Sequence, residues 1–400
     1  MDGATVSEAP LRVVVAGAGA FGKNHLRVYR ELEMAGLGVA LVAAVEPDAA
    51  RAAETAANYA IPVCSTVDEL LATGLKLDAA TVAVPTMHHH AVASTLLDAG
   101  VDLLVEKPLA ASLAEADDLI ERACKGKRIL QPGHLERFNP AVLTIQPQLH
   151  RPMFFESHRL SVFTPRALDV DVVLDLMIHD LDIVLTFAAS PVREVRAVGL
   201  PILSPKVDIA NVRVEFESGC VANFTASRVS TERVRKLRFF EPRQYVSIDY
   251  ARQDLLVIRV NEGKSTPAEL IASLPPQVAS LLPPGIAEAI ASGKIDLAKI
   301  DPALIAQFAA MAKIDPALIA QLTSPAESKA GLSFSKPPVT PGEPLRLEML
   351  SFLESVRTRR EPQVTARQGR EALALALEIQ SSMAAHAQRA GLEDFFKSGA

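Results

Sequence analysis

Asp175 and His179 are the residues whose types and spacing best suit proton transfer, since they lie four positions apart in D-L-M-I-H-D-L-D at 175–182. If this segment is helical, the carboxylate and the imidazole project from one face, one turn apart. An imidazole with an ordinary pKa of about 6.5 suits a general base near neutral pH. The carboxylate can steer its tautomer or orient a substrate. The apolar residues around the pair also allow another interpretation, a buried polar network with a structural role.

Lys107 is the third candidate for the same chemistry. It lies in V-E-K-P at 105–108, at the end of a strand-like run. Its ammonium can stabilise a developing alkoxide, or serve as the base if its pKa is lowered. We favour His179 as the base and Lys107 as the group that orients and polarises the substrate, although the residues alone leave the choice open. An ordinary surface lysine is the alternative interpretation.

A glycine-rich segment, G-A-G-A-F-G at 17–22, follows the β-branched run 11–16 and has the G-x-G-x-x-G spacing. In such a loop Gly17 permits a tight turn, Gly19 lets the backbone approach a pyrophosphate, and Gly22 lets the next helix pack against the strand. The pyrophosphate then lies on the N-terminus of that helix. The sequence predicts a dinucleotide site that includes Ala20 and Phe21.

Glu46 ends the second apolar run, 24 residues beyond Gly22. This is close to where a ribose-binding carboxylate belongs. Because a carboxylate there repels a 2′-phosphate, we expect NAD rather than NADP, although Arg51 nearby keeps NADP open. A solvated strand end is the alternative. The ends of later strands add further expected cofactor contacts, namely Pro85, Thr86, His89, Glu106 and Lys107.

No metal site is predicted. The side chains of His88, His89 and His90 are consecutive and cannot all converge on one ion, and no carboxylate or cysteine stands nearby at a ligand spacing. The three cysteines lie far apart without a C-x-x-C motif. This usage favours a reducing compartment and argues against a structural metal.

The composition is that of a globular protein, with 49% apolar and 22% charged residues. A length of 400 residues predicts two domains. The net charge of −6 gives no reason to expect a nucleic-acid partner. The N-terminus is acidic and polar, unlike a signal peptide, and no apolar run approaches the roughly 18 residues of a membrane span. We therefore expect a cytoplasmic protein.

Strand-like and helical runs alternate in residues 1–132, which predicts a doubly wound parallel sheet of the Rossmann type and an α/β fold. Residues 133–400 contain seven further strand-like runs and predict an α+β domain with a large open sheet, mixed or antiparallel, and a helix over 170–186 upon it. An Ala- and Pro-rich insertion at 262–341 contains a 14-residue repeat, at 298–307 and 312–321. We expect it to be partly disordered or to form short surface helices, with an interaction module as the alternative.

Four ordered motifs give the chain a family resemblance. They are G-A-G-A-F-G, A-V-P-T-x-x-H ending at His89, E-K-P, and D-x-x-x-H-x-x-D from Asp175 to Asp182. The chain resembles the glucose–fructose oxidoreductase/inositol dehydrogenase (Gfo/Idh/MocA) family over residues 11–260 and 342–390. The resemblance implies NAD(P) in the first domain and a polyol or sugar against the second sheet, with Lys107, Asp175 and His179 lining the substrate site.

The resemblance also implies a homodimer or homotetramer, because the free face of the second sheet mediates oligomers in the family. One departure concerns the segment around His179. Many members carry glycines there, whereas this chain has Leu176 and Met177. That change can reshape the pocket while the catalytic residue types stay in place.

A narrower likeness lies in G-H-L-E-R-F-N-P at 133–140, in 171–182 and in S-R-V-S-T-E-R-V-R-K-L-R at 227–238. These segments resemble a bacterial subgroup that includes UDP-N-acetylglucosamine 3-dehydrogenases, which make a 3-keto sugar nucleotide for lipid A. Such a substrate carries two phosphate charges and needs cations. The residues expected to bind it are His134, Arg137, Arg159, Arg166 and Arg228. Two alternatives are an inositol or free-sugar dehydrogenase and a non-catalytic NAD(H)-binding regulator.

Overall fold

The computed structural model describes residues 9–163, 170–261 and 331–392. Within them the chain forms two β-sheets, joined by helices that pack on one or both. The first sheet has six parallel strands in the order β3-β2-β1-β4-β5-β6. The strands are β1 (Leu11–Ala16), β2 (Val39–Val45), β3 (Val63–Cys64), β4 (Ala79–Val82), β5 (Asp102–Glu106) and β6 (Leu130–Gly133).

Helices connect these strands, so the predicted doubly wound α/β arrangement is confirmed. They are α1 (Gly22–Met34), α2 (Ala49–Tyr59), α3 (Val67–Ala72), α4 (His89–Asp98) and α5 (Leu113–Gly126). Local capping explains several helix starts. The side chains of Asp48, Thr66 and Ser112 accept hydrogen bonds from amides in the first turns of α2, α3 and α5. The strand order reverses between β1 and β4, which is where ligands bind in such sheets.

The second sheet has eight strands in the order β14-β13-β12-β11-β7-β10-β9-β8. Neighbouring strands are antiparallel except for the parallel pair β7 and β10. This confirms the predicted mixed sheet. The strands are β7 (Phe154–Val162), β8 (Val192–Leu200), β9 (Ile209–Phe216), β10 (Val221–Ser230), β11 (Val234–Glu241), β12 (Gln244–Asp249), β13 (Asp254–Asn261) and β14 (Gly331–Ser335).

Four further helices complete the described chain. They are α6 (Pro140–Ile145), α7 (Ile178–Ala188), α8 (Pro344–Thr358) and α9 (Ala366–Arg389). α7 and α9 cover one face of the second sheet with an apolar core that includes Leu181, Phe187, Ile379 and Met383. α9 also contacts α5 and β6, so it ties the two sheets together.

The helix predicted over 170–186 differs at its start. Val173–Met177 forms a wide turn of the π type, and the regular helix begins only at Ile178. Such turns are frequent at functional sites. This turn could not be predicted, because the apolar and polar residues of the segment are spaced as in an ordinary helix.

Two predicted boundaries also differ. α8 falls in residues 133–400, which we assigned to the second domain, but it packs in the core of the first sheet. Its apolar stripe includes Leu345, Met349 and Phe352, which lie in one core with Leu26 and Tyr29 of α1. The predicted insertion at 262–341 contains a strand at its end, because β14 pairs with β13. The 14-residue repeat lies outside the described residues.

Among the described helices, none is long and apolar enough to cross a bilayer. Over the same residues, no group of three or more histidine, cysteine or acidic side chains is arranged to hold a metal ion.

Candidate active site

The glycine loop lies between β1 and α1 and is shaped as a dinucleotide site requires. Gly17 has a φ of +95°, and a Cβ on Gly22 would lie 1.9 Å from the carbonyl oxygen of Gly17. Both positions therefore require glycine. A Cβ on Gly19 would meet nothing within 4 Å, so this backbone is open to a ligand. The N-terminus of α1 has no side-chain cap, so the positive end of its helix dipole is open to a pyrophosphate.

Ala20 and Phe21 are exposed beside this loop. The ring of Phe21 stands edge-on to that of His25, with centroids 5.4 Å apart. His25 is fully buried, and its Nε2 lies 2.7 Å from Oε1 of Glu106 at the end of β5. Glu106 was predicted as a cofactor contact, but in the structure its carboxylate links β5 to α1 behind the loop.

Glu46, at the end of β2, is buried and joined to the glycine loop. Its carboxylate accepts hydrogen bonds from the amide of Ala18 at 2.9 Å, from the amide of Asp48 at 3.0 Å and from the Arg51 guanidinium at 2.9 Å. Burial raises the pKa of Glu46, but these hydrogen bonds outweigh it and hold the pKa below its usual value. Glu46 is therefore an anion beside the loop, and the solvated strand end is excluded.

The segment after β4 contains the predicted contacts Pro85, Thr86 and His89. Pro85 is exposed and Thr86 is half-buried, so both are accessible from the cleft. His89 is buried, with Nδ1 2.8 Å from the carbonyl oxygen of Pro108 and Nε2 2.9 Å from that of Val84. Its ring therefore links the segments that follow β4 and β5. His89 would affect cofactor binding indirectly, by holding these two segments in place.

Lys107 follows β5 and reaches the wide turn before α7. Its Nζ lies 2.6 Å from the carbonyl oxygen of Asp175, 3.4 Å from that of Leu174 and 3.9 Å from Oδ1 of Asp175. The side chain is 19% exposed. Desolvation lowers the pKa of Lys107, against the raising effect of the Asp175 and Glu106 carboxylates. The lysine is thus partly buried and paired, which excludes an ordinary surface position.

The structure brings Asp175 and His179 together with Lys107. The Asp175 side chain is 26% exposed, so its carboxylate is accessible to a ligand. Desolvation lowers the pKa of His179 well below its usual value, and the charges of Lys107 and Arg159 lower it further. His179 is therefore neutral at neutral pH, as a proton acceptor must be. Its Nδ1 is buried and has no hydrogen-bond partner among the described residues.

The predicted phosphate-binding arginines are placed differently. Arg159 is 3% exposed, and its guanidinium makes a two-bond contact with Asp180, at 2.7 and 3.0 Å. It also bonds Glu136 at 3.0 Å and lies 5.3 Å from the ring centre of Tyr250. These contacts satisfy the guanidinium inside the protein, so the geometry contradicts the prediction that Arg159 holds a phosphate.

The predicted phosphate-binding role of Arg137 and Arg228 is contradicted for the same reason. Arg137 is 2% exposed and pairs with Asp182 at 3.3 Å. Arg228 is 4% exposed and bonds Asp208 at 2.7 Å and the Val170 carbonyl oxygen at 2.9 Å. Sequence reasoning found the cations but not their partners, which lie 20 or more residues away. Arg166 lies outside the described residues.

His134, predicted to face substrate, is 1% exposed and lies close enough to His179 for its charge to lower the pKa of that group. Neither ring nitrogen has a hydrogen-bond partner in the part of the chain that the structure describes. Sequence reasoning also missed Glu348 on α8, which is fully buried with both carboxyl oxygens unpartnered among the described residues. A signal existed, because Glu348 interrupts the apolar stripe of α8 between Leu345 and Phe352.

Comparisons with known proteins bear on this arrangement. A family model described as "Oxidoreductase family, NAD-binding Rossmann fold" matches residues 11–134. The model of the GFO/IDH/MocA C-terminal domain matches residues 141–243. The chain therefore carries both parts of one family in the order that the structure shows them.

Individual relatives agree with the family models. The chain is 37% identical over 254 residues to a UDP-N-acetylglucosamine 3-dehydrogenase from Acidithiobacillus ferrooxidans, covering 63% of this chain and 78% of that protein. A solved structure of this enzyme has a TM-score of 0.73 and 28% identity, with 94% of this chain and 99% of that chain covered. A scyllo-inositol 2-dehydrogenase (NAD(+)) from Bacillus subtilis is 26% identical over 238 residues, 56% of this chain and 69% of that protein.

These matches cover both sheets and the segments that carry Lys107, Asp175 and His179. They agree with a glycine loop shaped for a dinucleotide and with polar groups gathered beside it. The chain belongs to the Gfo/Idh/MocA family of oxidoreductases and has its NAD-binding Rossmann domain.

Proposed function

We propose that the protein is an NAD-dependent dehydrogenase that oxidises the 3-hydroxyl of UDP-N-acetylglucosamine to a ketone, a step in the synthesis of amino sugars for lipid A in the cytoplasm. The observation that carries the proposal is the convergence of Lys107, Asp175 and His179 at the end of β5, where Glu106 bonds the helix that follows a glycine loop open at Gly19. The likeness to the Acidithiobacillus ferrooxidans enzyme supports the choice of substrate.

Oxidation of a secondary alcohol removes a hydride from carbon and a proton from oxygen. Nicotinamide, when bound, supplies the hydride acceptor. The protein's own groups must manage the proton. His179 is neutral and can take it, and because Nδ1 is buried we assign Nε2 to the substrate side.

Lys107 positions and polarises the hydroxyl. The two carbonyl oxygens of the wide turn fix its Nζ, and one of its protons remains for a substrate oxygen. A positive charge at that point stabilises a developing alkoxide. Asp175 lies next to it with an exposed carboxylate that can accept a hydrogen bond from a neighbouring sugar hydroxyl. The three groups thus divide the work of binding, polarisation and proton removal.

Glu46 supports NAD as the cofactor. Its carboxylate is ionised and held beside the glycine loop, where it repels a 2′-phosphate. Arg51 is engaged by the same carboxylate, which weakens it as a phosphate ligand. We therefore expect tighter binding of NADH than of NADPH. The Glu46→Gln variant should reduce the difference, and the exposed Glu54→Gln variant serves as its control.

An inositol or free-sugar dehydrogenase is the second candidate. It is favoured by the burial of Arg137, Arg159 and Arg228 in ion pairs, because an uncharged polyol needs no phosphate-binding cations. A non-catalytic regulator is a poorer fit, since NAD(H) sensing needs no proton acceptor beside a polarising lysine.

One assay separates these functions. NADH absorbance is followed with NAD and, in turn, UDP-N-acetylglucosamine, UDP-N-acetylgalactosamine, UDP-glucose and myo-inositol. A coupled aminotransferase or ketone trap draws the reaction forward. We expect turnover with UDP-N-acetylglucosamine. Turnover with myo-inositol alone would replace the first proposal by the second, and no turnover with any alcohol would favour the regulator.

We also propose a homodimer or homotetramer that uses the face of the second sheet opposite α7 and α9. That face carries the aromatic contacts of Phe240 with Phe154 and Tyr245 as well as polar cross-strand contacts, such as Asn211 to Thr225 at 3.0 Å and Arg238 to Glu156 at 3.7 Å. Light scattering on the purified chain tests the proposal. A Thr225→Arg substitution on this face should shift the measured mass towards that of the monomer. A monomer mass for the unsubstituted protein would refute the proposed oligomer.

A further inference from the structure

A cluster of buried polar side chains includes His179 and extends from it into the interior. Twelve buried side-chain atoms have no hydrogen-bond partner in the part of the chain that the structure describes, and ten of them belong to this cluster. We call it the buried polar cluster. Its members are His25, Gln131, His134, Arg137, His179, Asp182 and Glu348.

The members come from five places in the fold and meet around Glu106. His25 on α1 bonds Glu106 at 2.7 Å, and Gly133, next to His134, packs on the Glu106 side chain. Arg137 pairs with Asp182 of α7. α8, which carries Glu348, packs against both α1 and the segment 135–138. Charge interactions join His179 to His134, His134 to Asp182 and Glu106, and these two carboxylates to Glu348, so the cluster extends from His179 to Glu348.

Such a concentration of unpartnered atoms calls for a physical account. Buried polar groups in native proteins are almost always hydrogen-bonded, to protein or to ordered water. Internal water is stable where a site is polar and offers two to four partners per molecule. Ten donors and acceptors within one cluster offer that number of partners several times over. Ordered water can satisfy them.

The charges of the cluster decide which groups can carry a proton. Glu348 has no cation beside it among the described residues, and burial, with Glu106 and Asp182 nearby, raises its pKa well above the usual value. It is therefore a neutral acid, able to donate and to accept. Burial lowers the pKa of His134, the Asp182 and Glu106 carboxylates oppose that effect, and the Arg137 and Lys107 charges add to it. A proton on His134 is thus stabilised by two carboxylates and opposed by two cations, so it is held less tightly than on a free imidazole.

We propose that the buried polar cluster holds ordered water and that, through this water, His134 stores the proton that the alcohol passes to His179. The idea rests on the proposed function for the source of that proton. The alcohol O–H bond breaks, and its proton goes to Nε2 of His179. Nδ1 of His179 then releases a proton into the cluster water, and His134 takes it up. When the ketone leaves, the proton returns by the same path to solvent.

Glu348 has a supporting part in this scheme. As a neutral acid it bonds the cluster water without adding a third negative charge beside Glu106 and Asp182. A neutral amide should therefore replace it, whereas an apolar side chain should not. His134 and Glu348 are positioning residues, since neither touches substrate.

The test follows proton and hydride separately in a single turnover. NADH absorbance and a pH indicator are recorded together by stopped flow in weak buffer, with UDP-N-acetylglucosamine or with myo-inositol. We expect proton release to lag behind NADH in the wild type. The lag should vanish in His134→Asn, with slower NADH formation by about tenfold. The control is His386→Asn, because His386 also has a buried unpartnered nitrogen but lies on α9 outside the cluster.

Glu348 is tested in the same instrument and by infrared spectroscopy. Glu348→Gln should keep the lag and the rate, and Glu348→Leu should lose both. The exposed Glu354→Gln on the same helix is the control. The difference spectrum of wild type minus Glu348→Gln at neutral pH should contain the C=O band of a protonated carboxyl, whether or not a substrate is turned over.

The outcomes separate this proposal from the proposed function. Turnover of UDP-N-acetylglucosamine without a lag, or with a lag that His134→Asn leaves unchanged, overturns proton storage and leaves the function standing. A His134-dependent lag with myo-inositol alone supports storage and overturns the proposed substrate. A missing protonated-carboxyl band overturns the neutral state of Glu348 on its own. No turnover with either alcohol overturns both proposals.

Discussion

The Nζ atom of Lys107 lies 2.6 Å from the carbonyl oxygen of Asp175 and 3.9 Å from the nearer carboxylate oxygen of the same residue. The backbone, rather than the carboxylate, therefore fixes the lysine. The wide turn at Val173–Met177 supplies this carbonyl. The carboxylate of Asp175 stays available for a substrate hydroxyl, so one residue serves both the lysine and the ligand.

Replacing Lys107 should separate catalysis from cofactor binding. In Lys107→Met the polarising charge is lost while the volume is kept, and we expect kcat to fall by about 100-fold or more. NADH affinity, measured by fluorescence, should change by less than about threefold because the glycine loop is untouched. The exposed Lys76→Met variant is the control. A Lys107→Met enzyme with near-normal kcat would mean that Lys107 only supports the wide turn.

The glycine loop allows a matched pair of variants. Gly19→Ala has room for its Cβ, so stability should change by less than about 1 kcal/mol. The new methyl group lies on the face that a pyrophosphate approaches, and NADH binding should weaken by at least about tenfold. In Gly22→Ala the Cβ would lie 1.9 Å from the Gly17 carbonyl oxygen. That variant should lose about 3 kcal/mol or more of stability, as measured by urea unfolding.

The Gly19→Ala and Gly22→Ala variants test different parts of the dinucleotide-site interpretation. If Gly19→Ala bound NADH as tightly as the wild type, the dinucleotide would not approach this backbone. If Gly22→Ala were as stable as the wild type, the close contact between β1 and α1 would have to relax at little cost.

Replacing Arg228 tests whether this residue binds a phosphate or only forms a structural ion pair. Its partner Asp208 is fully buried, so Arg228→Met leaves a buried carboxylate without its cation, held only by hydrogen bonds from the amides of residues 202–204 and the Ser204 hydroxyl, which costs about 3 kcal/mol. We expect a large fall in the free energy of unfolding and a KM for the sugar nucleotide within about twofold of wild type, assayed where the variant is folded. The exposed Arg213→Met should cost less than about 1 kcal/mol. An Arg228→Met protein of normal stability but much higher KM would restore the phosphate-binding role.

The sequence predicted the parts of the fold that depend on local pattern. Apolar runs gave the strands, and the glycine spacing located the turn between β1 and α1. The placement of Arg159 could not be predicted, because its partner Asp180 is 21 residues away and the pairing forms only when β7 packs on α7. The sequence pattern around a charged residue does not show its partner. A solvent-exposed arginine and an arginine in a buried ion pair therefore cannot be told apart from the sequence.

The packing partner of α8 could not be predicted from local pattern either, and this affects the assignment of domains. Its apolar stripe predicted a buried face but could not say which sheet would bury it. Leu345, Met349 and Phe352 join the core of the first sheet although more than 200 residues separate them from it. The buried Glu348 follows from that docking, because it lies on the same stripe and is carried into the interior with it.

Burial of histidines should make the protein sensitive to acid. Burial lowers the pKa of His89, His134 and His179 below the usual value in the folded protein. In the unfolded chain their pKa is about 6.5. Below that pH the unfolded chain binds more protons than the native one, so stability falls as pH decreases. The free energy of unfolding from urea titrations should therefore decrease from about pH 6.5 to about pH 5.

His134 allows this slope to be assigned, because its ring has no hydrogen-bond partner among the described residues. His134→Gln removes one titrating group, and the slope should become shallower by up to about 1.4 kcal/mol per pH unit. Glu348 contributes in the opposite direction. Its raised pKa favours the folded state at low pH and costs stability as pH rises above about 4.5. Glu348→Gln should therefore gain stability relative to wild type as pH rises, while leaving the histidine slope in place. A slope unchanged in His134→Gln would show that this imidazole is protonated, and therefore paired, in the native state.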